Sequence, residues 1–243
     1  MCVSFYSWYY KKALVEDRFI PSFWDQLVYF YRGIPPFTPS WQESFEMPIA
    51  YLIMNLVLLF ALGNTTASVF EPYGYEIFTR IPKRSVWWLA HCLMAVIAAI
   101  VEQTAIIGTI TVFCLAVGGP FAICDYRGLA IPELVSWPGT GYMQVLSLLL
   151  SPVLAAIALA LLQLLLELVA GDTLGLIFAI VFVVSGAFLD EPILFCGHAM
   201  MQRLSAFTGD GITMKQTVLW TGVISALSII VGARHLSKKD LIR

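Results

Sequence analysis

The chain has 243 residues, 59% of them hydrophobic and 12% charged, with 14 basic and 16 acidic side chains and a formal net charge of −2. Soluble domains carry about 25% charged residues, so this composition, with a mean hydropathy of +0.82, excludes a soluble domain and gives no basic surface for nucleic acid. The reading is an all-α, polytopic membrane bundle of about five spans with short re-entrant or interfacial helices.

Residues 1–46 hold four cations, Lys11, Lys12, Arg18 and Arg32, and an aromatic cluster of Phe5, Tyr6, Trp8, Tyr9 and Tyr10. They lack the apolar core of a signal peptide and are expected to form an extracytoplasmic interfacial segment. A competing reading places a first span upstream, with the aromatic cluster at the membrane interface just beyond it.

The apolar runs that follow give five spans at about 47–68, 86–118, 142–166, 173–189 and 216–233, then a basic tail at 234–243. The first ends in the polar Gly63-Asn64-Thr65-Thr66, and the fourth is at the lower length limit for a span. The second is too long: its 33 residues would extend about 50 Å against ~30 Å of hydrocarbon. It must tilt, break or begin in the interface, and Trp87-Trp88 beside Lys83 and Arg84 favour the last.

Lysine and arginine counts set the orientation. Arg80, Lys83, Arg84, Arg234, Lys238, Lys239 and Arg243 fall on one side and are cytoplasmic, while the opposite side holds Arg127, Arg203 and Lys215. On that outer side, 190–214 mixes Ile193, Leu194, Phe195, Met200, Met201 and Leu204 with Gly197, His198, Gln202 and Arg203, a pattern for a short re-entrant or surface-lying helix pair. Cys124 and Cys196 would share that side, and whether they pair stays open.

Glu102, beside Gln103 and Thr104 near the middle of the second span, is the residue most in need of explanation. An ionisable group at such depth costs at least about 2.5 kcal/mol on insertion scales and should meet a partner or a cavity. It either holds helices together or contacts a substrate or ion, and Gln163 and Asn55 are the nearest candidates for a shared polar network. His91, His198 and His235 are widely separated and have no zinc spacing, so no metal is expected. Ser185 lacks a GxSxG context and reads as a small packing residue rather than a nucleophile. A Walker pattern is absent from the chain, so ATP hydrolysis by that route requires a partner.

The amphipathic piece Tyr73 to Thr79, followed by the basic Arg80-Ile81-Pro82-Lys83-Arg84, suits either lipid contact or docking on another protein. At this point the chain resembles the membrane-spanning permease subunits of bacterial type-2 ABC exporters. The matching patches are Ser22-Phe23-Trp24-Asp25 through Gly33, Phe45-Glu46-Met47-Pro48, and Tyr73-Gly74 to Trp88. Leu194 to Arg203 and the closing Lys238-Lys239-Asp240-Leu241-Ile242 complete them.

The resemblance covers roughly residues 20–243 and implies a helix and basic turn that contact the ATPase, with short outer helices between the last two spans. It departs from the family in lacking the first span. It implies that Tyr75, Glu76, Phe78, Arg80, Lys83 and Arg84 form the coupling region, and that Asp190, Glu191, His198 and Arg203 shape an outer gate. It further implies ABC ATPase subunits and a second permease copy or a related permease as partners. No cofactor would be held by this chain, with ATP and Mg on the ATPase, and no catalysis of its own. The location would be the cell membrane. A scaffold or sensor that transports nothing is the alternative, and a membrane-embedded hydrolase using Ser185 or Glu102 a further one.

Overall fold

The computed structural model describes residues 22–35, 47–63, 84–121, 142–189, 191–208 and 211–238. The expected coupling residues Tyr75, Glu76, Phe78, Arg80 and Lys83, together with Asp190 and Cys124, lie outside the described residues. Seven α-helices occur among those described: α1 (Phe23–Tyr31), α2 (Ile49–Leu62), α3 (Arg84–Val117), α4 (Tyr142–Ala170), α5 (Asp172–Phe188), α6 (Ser205–Thr208) and α7 (Met214–Lys238). Two 3-10 helices, Phe195–Ala199 and Met201–Arg203, lie between α5 and α6.

Three helices are long and apolar enough to cross a membrane, over Ser85–Val117, Val145–Ala170 and Met214–Ser237, while α2 and α5 are shorter apolar helices. The first expected span therefore shrinks. α2 stops at Leu62, where the Gly63 N–H turns back to the Leu59 carbonyl at 2.9 Å. α4 runs past its expected end at 166 to Ala170, and α7 begins before 216 and continues through the basic residues to Lys238.

α4 is the hub, packed against α2, α3, α5 and α7. Buried residues make up 56% of its most apolar window, against 28% for α3 and 22% for α7. The cause lies in side-chain size. Ser147, Ser151, Ala155, Ala156, Ala158 and Ala160 are all buried on α4, and α7 buries Thr217, Thr221 and Ser228. Helices in lipid gain nothing from hiding apolar surface from water, so close approach through small residues supplies the attraction.

At the other end of α4 the chain reverses through Gly171, whose φ of +88° favours glycine. Gly175 then crosses the backbone of α4, where a Cβ would stand 2.5 Å from the Glu167 nitrogen.

α1 is a separate piece of engineering in the chain's first described stretch. Ser22 Oγ accepts from the Asp25 N–H at 3.2 Å while the Asp25 carboxylate accepts from the Ser22 N–H at 2.8 Å, a reciprocal cap that starts the helix. The Phe23 N–H donates to the Pro120 carbonyl at 3.1 Å, and the Phe23 ring stacks on Phe121 with centroids 5.5 Å apart. From that anchor beyond the end of α3, the helix runs back along α3 until Tyr31 reaches Gln103. The expected surface segment is thus, over residues 22–35, a helix with Phe23, Leu27, Val28, Phe30 and Tyr31 in the core.

Trp87 and Trp88, at the start of α3, turn into the protein. Trp88 is fully buried, its indole N–H donating to the Ile229 carbonyl on α7 at 3.0 Å, and its ring occupies the space that a side chain at Gly232 would need. Trp87 is also buried and stacks on His91 with centroids 3.7 Å apart.

Candidate functional site

The segment after α5 is where the polar chemistry gathers. Phe195 through Leu204 are all buried, so the expected outer pair of helices is neither surface-lying nor a span: it is folded into the end of the bundle, against α4, α5 and α7. Its backbone satisfies itself through short-range bonds, with the Gly197, Met200, Arg203 and Leu204 N–H groups each donating three residues back at 2.9–3.2 Å. The Ser205 N–H to the Ile212 carbonyl, at 2.9 Å, closes the loop before α7. α7 is then started by Thr213 and Gln216, whose side chains each accept from the other's backbone N–H.

Arg203 is the centre of this assembly. Its guanidinium donates to the carbonyls of Gly186 at 3.0 Å, Ala187 at 2.7 Å and Leu189 at 2.7 Å, and its Nε approaches the Ile34 carbonyl at 3.4 Å. The last carbonyls of a helix have no partner inside it, and the helix dipole places negative potential there. One cation therefore satisfies the end of α5 and ties it to the chain leaving α1. The Gln202 N–H adds a bond to the Arg32 carbonyl at 3.2 Å.

The fit requires glycine on both sides. A Cβ at Gly197 would lie 2.8 Å from the Gly186 oxygen, and one at Gly186 would lie 3.0 Å from the Cys196 Cβ. Gly33, with φ of +66°, lets the chain turn over Met200.

His198 sits inside this knot with no exposed surface and no hydrogen-bond partner on either ring nitrogen. Burial pulls its pKa down to about 4; the Pro192 carbonyl opposes this, though it lies outside hydrogen-bond geometry, and the Arg203 charge adds to it. His198 is a neutral core residue. Cys196 is a free thiol, wholly buried and pushed up in pKa by that burial. Glu191 is exposed. Of the four residues expected at an outer gate, His198 and Arg203 come together, and Arg203 acts as a clamp on the backbone.

The intramembrane network expected among Glu102, Gln103, Gln163 and Asn55 is divided into three. Tyr31 Oη donates to Gln103 Oε1 at 2.7 Å, joining α1 to α3. Glu102 flanks this pair, and its two carboxylate oxygens and the Gln103 Nε2 are buried without hydrogen-bond partners. Burial raises the Tyr31 pKa, and the nearby Glu102 charge raises it further.

Gln163 belongs elsewhere, donating to the Leu59 carbonyl at 2.8 Å and to Glu167 Oε1 at 2.7 Å. It links α2 to α4. Asn55 turns back to the Tyr51 carbonyl of its own helix at 2.8 Å, while Tyr51 Oη donates to the Val183 carbonyl of α5 at 3.1 Å.

Tyr31, Tyr51, Glu167 and the clamping role of Arg203 were not singled out from the sequence. For Glu167, a carboxylate four residues after Gln163 in an apolar helix was an available signal. Among the described residues there is no group of His, Cys, Asp and Glu fit to hold a metal. Neither ring nitrogen of His198 is hydrogen-bonded to Ser185.

Compared with known proteins, the chain matches no family profile, and neither the curated proteins nor the solved structures give a significant match.

Proposed function

We propose that this chain is the transmembrane permease subunit of an ATP-driven exporter in the cell membrane, acting with a second copy or a related permease on two separate ATPase subunits. The observation that carries the reading is the locked segment between α5 and α7. The patch Leu194 to Arg203, which bears part of the resemblance to exporter permeases, is folded into the bundle end where that resemblance expects short outer helices.

In this reading α2, α3, α4, α5 and α7 are five spans. The basic turn before α3, with Tyr75, Glu76, Phe78, Arg80, Lys83 and Arg84, docks on the ATPase, where ATP and Mg²⁺ are bound. ATP-driven closure of the ATPase pair then moves the spans as rigid bodies. The Arg203 knot couples α5, α7 and α1 so that they shift together at the outer end, and Glu102 and Gln103 stand beside the path.

The test is affinity purification of the chain from native membranes, paired with a variant in which Arg80, Lys83 and Arg84 are all changed to Glu. Co-purification of a Walker-motif ATPase, lost in the variant while membrane insertion persists, is the expected result. An unaltered chain that purifies without any ATPase, under conditions that preserve a known transporter complex, would sink the exporter assignment in favour of a scaffold.

A further inference from the structure

The cross-links between helices calibrate their relative heights. At the end bearing Arg84 and Arg234, Trp88 meets Ile229. Counting fifteen residues up both helices from that contact brings Gln103 on α3 level with Met214, the first residue of α7. Ser151 Oγ lies 3.5 Å from Met214 Sδ, so this same level crosses α4 at Ser151. Glu167 lies against Gly175, and sixteen residues along from each is Ser151 on α4 and Glu191 just past α5. α2 begins at the same height, since Tyr51 reaches Val183 and Leu59 reaches Gln163.

Five helices therefore share one layer, and only α3, with α1 against it, and the first turns of α4 pass beyond it. About 20 residues of helix match the ~30 Å of hydrocarbon. Twenty residues on from Arg84 is Thr104, and twenty back from Arg234 is Met214.

The exposed side chains follow the same layer. Large apolar residues face outward at Ile49, Ile53, Val57 and Phe60 on α2, and from Leu174 to Val184 on α5. They do so again from Val218 to Val231 on α7. On α3 they are dense up to that height, at Val86, Leu89, Leu93, Met94, Ile97, Ile100 and Val101. Beyond it, α3 exposes Thr104, Ala105, Gly108 and Ala116, with Val112 and Leu115 its only large apolar ones. Ala105, Gly108, Thr109, Val112, Phe113 and Ala116 line a shallow groove of 480 Å³. Polar side chains collect at the level itself: Glu102, Gln103 and Thr104 on α3, Glu191 after α5, and Lys215 and Gln216 on α7.

We propose that the outer edge of the bilayer hydrocarbon crosses α3 at Glu102–Thr104, so that the lipid-contacting belt ends there and the last turns of α3, with α1, project beyond the hydrocarbon. The excess length of α3 is then a ridge, not a tilt. Glu102 then stands at the boundary near the headgroups and not at mid-depth, where an ionisable group costs most, although its carboxylate oxygens are covered by protein. This inference rests on the membrane layer alone and stands or falls independently of the exporter reading.

The experiment uses the full chain in phosphatidylcholine nanodiscs with single cysteines on the exposed face of α3, at Ala105→Cys, Gly108→Cys and Val112→Cys, compared with Ala90→Cys, Leu93→Cys and Ile97→Cys. A Cβ at Gly108 meets no atom within 4 Å, so the substitution is sterically free. Cys2 and Cys124 are changed to Ser throughout, the natural Cys92, Cys114 and Cys196 are buried, and labelling of the chain without an added cysteine sets the background.

A charged maleimide reacts with thiolate, which forms in water and not in hydrocarbon, so the outer three are expected to label about 100-fold faster than the inner three. Spin labels at the same sites should collide more with a water-soluble nickel chelate than with oxygen in the outer set, and the reverse in the inner set. Outer cysteines that label as slowly as Ile97→Cys, with oxygen collisions dominant, would overturn the placement.

Discussion

α4 and α7 pack closely, and each buries many small groups, serine and alanine on one helix and threonine and serine on the other. Where the 195–203 segment meets α5, one guanidinium holds three helix-end carbonyls and reaches a fourth from the α1 loop. The first arrangement is distributed and each member contributes little. The second concentrates its stabilisation in one residue, because the C-terminal carbonyls of α5 have no other helix turn to serve them and, buried, little water. Single substitutions should therefore have very unequal effects at the two places.

Arg203→Ala gives the largest expected loss. It leaves buried carbonyls at Gly186, Ala187 and Leu189 short of donors, and breaking such a charged, hydrogen-bonded site costs about 3–5 kcal/mol. A fall in thermal stability in detergent, with new protease cleavage within 191–213, is the measurement. Arg203→Lys should recover only part of the loss, since a point charge cannot serve three carbonyls in the geometry of the fork.

The contrast also marks what could be read without coordinates. α3, α4 and α7 were plain in the sequence because twenty apolar residues in succession are a signal that no neighbour is needed to interpret. α2 was overestimated, since the expected span was carried on through the polar Gly63-Asn64-Thr65-Thr66 to 68 while the helix ends at Leu62. α1 was not read as a helix, and its burial depends on Pro120 and Gln103, far away in the chain.

The packing of Trp88 was not legible, because it depends on a particular tertiary fact, the room left for its ring at Gly232. Arg203 was assigned to an outer gate by resemblance, and its hydrogen bonds to the end of α5 could not be read from the sequence. Its role follows from where α5 ends, which is a tertiary fact. The polar residues of the spans were grouped into one network, which the structure divides, because grouping needs the heights of the helices relative to one another.

The next effect in size separates His198 from the clamp beside it. His198 is neutral in the fold with a pKa of about 4, whereas an unfolded histidine titrates near 6.5. Between these values the unfolded chain binds the extra proton, so stability is undiminished above about pH 6.5 and falls as the pH drops towards 4. At pH 5 the loss is about 2 kcal/mol. Thermal melts from pH 7.5 to 4.5 should show it, and His198→Phe should flatten that part of the curve. A slope unchanged by the substitution would assign the pH sensitivity to other groups.

The smallest effects test the distributed side of the comparison. Tyr31→Phe removes the donor to Gln103 Oε1 in a place where the amide is buried and its Nε2 already lacks a partner, so about 1.5 kcal/mol should be lost. Thr221 is also buried and also hydrogen-bonded, but its hydroxyl donates at 2.6 Å to the Thr217 carbonyl of its own helix. That carbonyl is four residues back and already faces a helical N–H, so Thr221→Ala strands no group and should cost about 0.5 kcal/mol or less. The two hydroxyls have nearly equal burial; what differs is whether removal leaves a polar group alone. Matched melts of the two variants thus measure the penalty of an orphaned partner directly, and equal losses would mean that the Tyr31–Gln103 bond does not anchor α1 to α3.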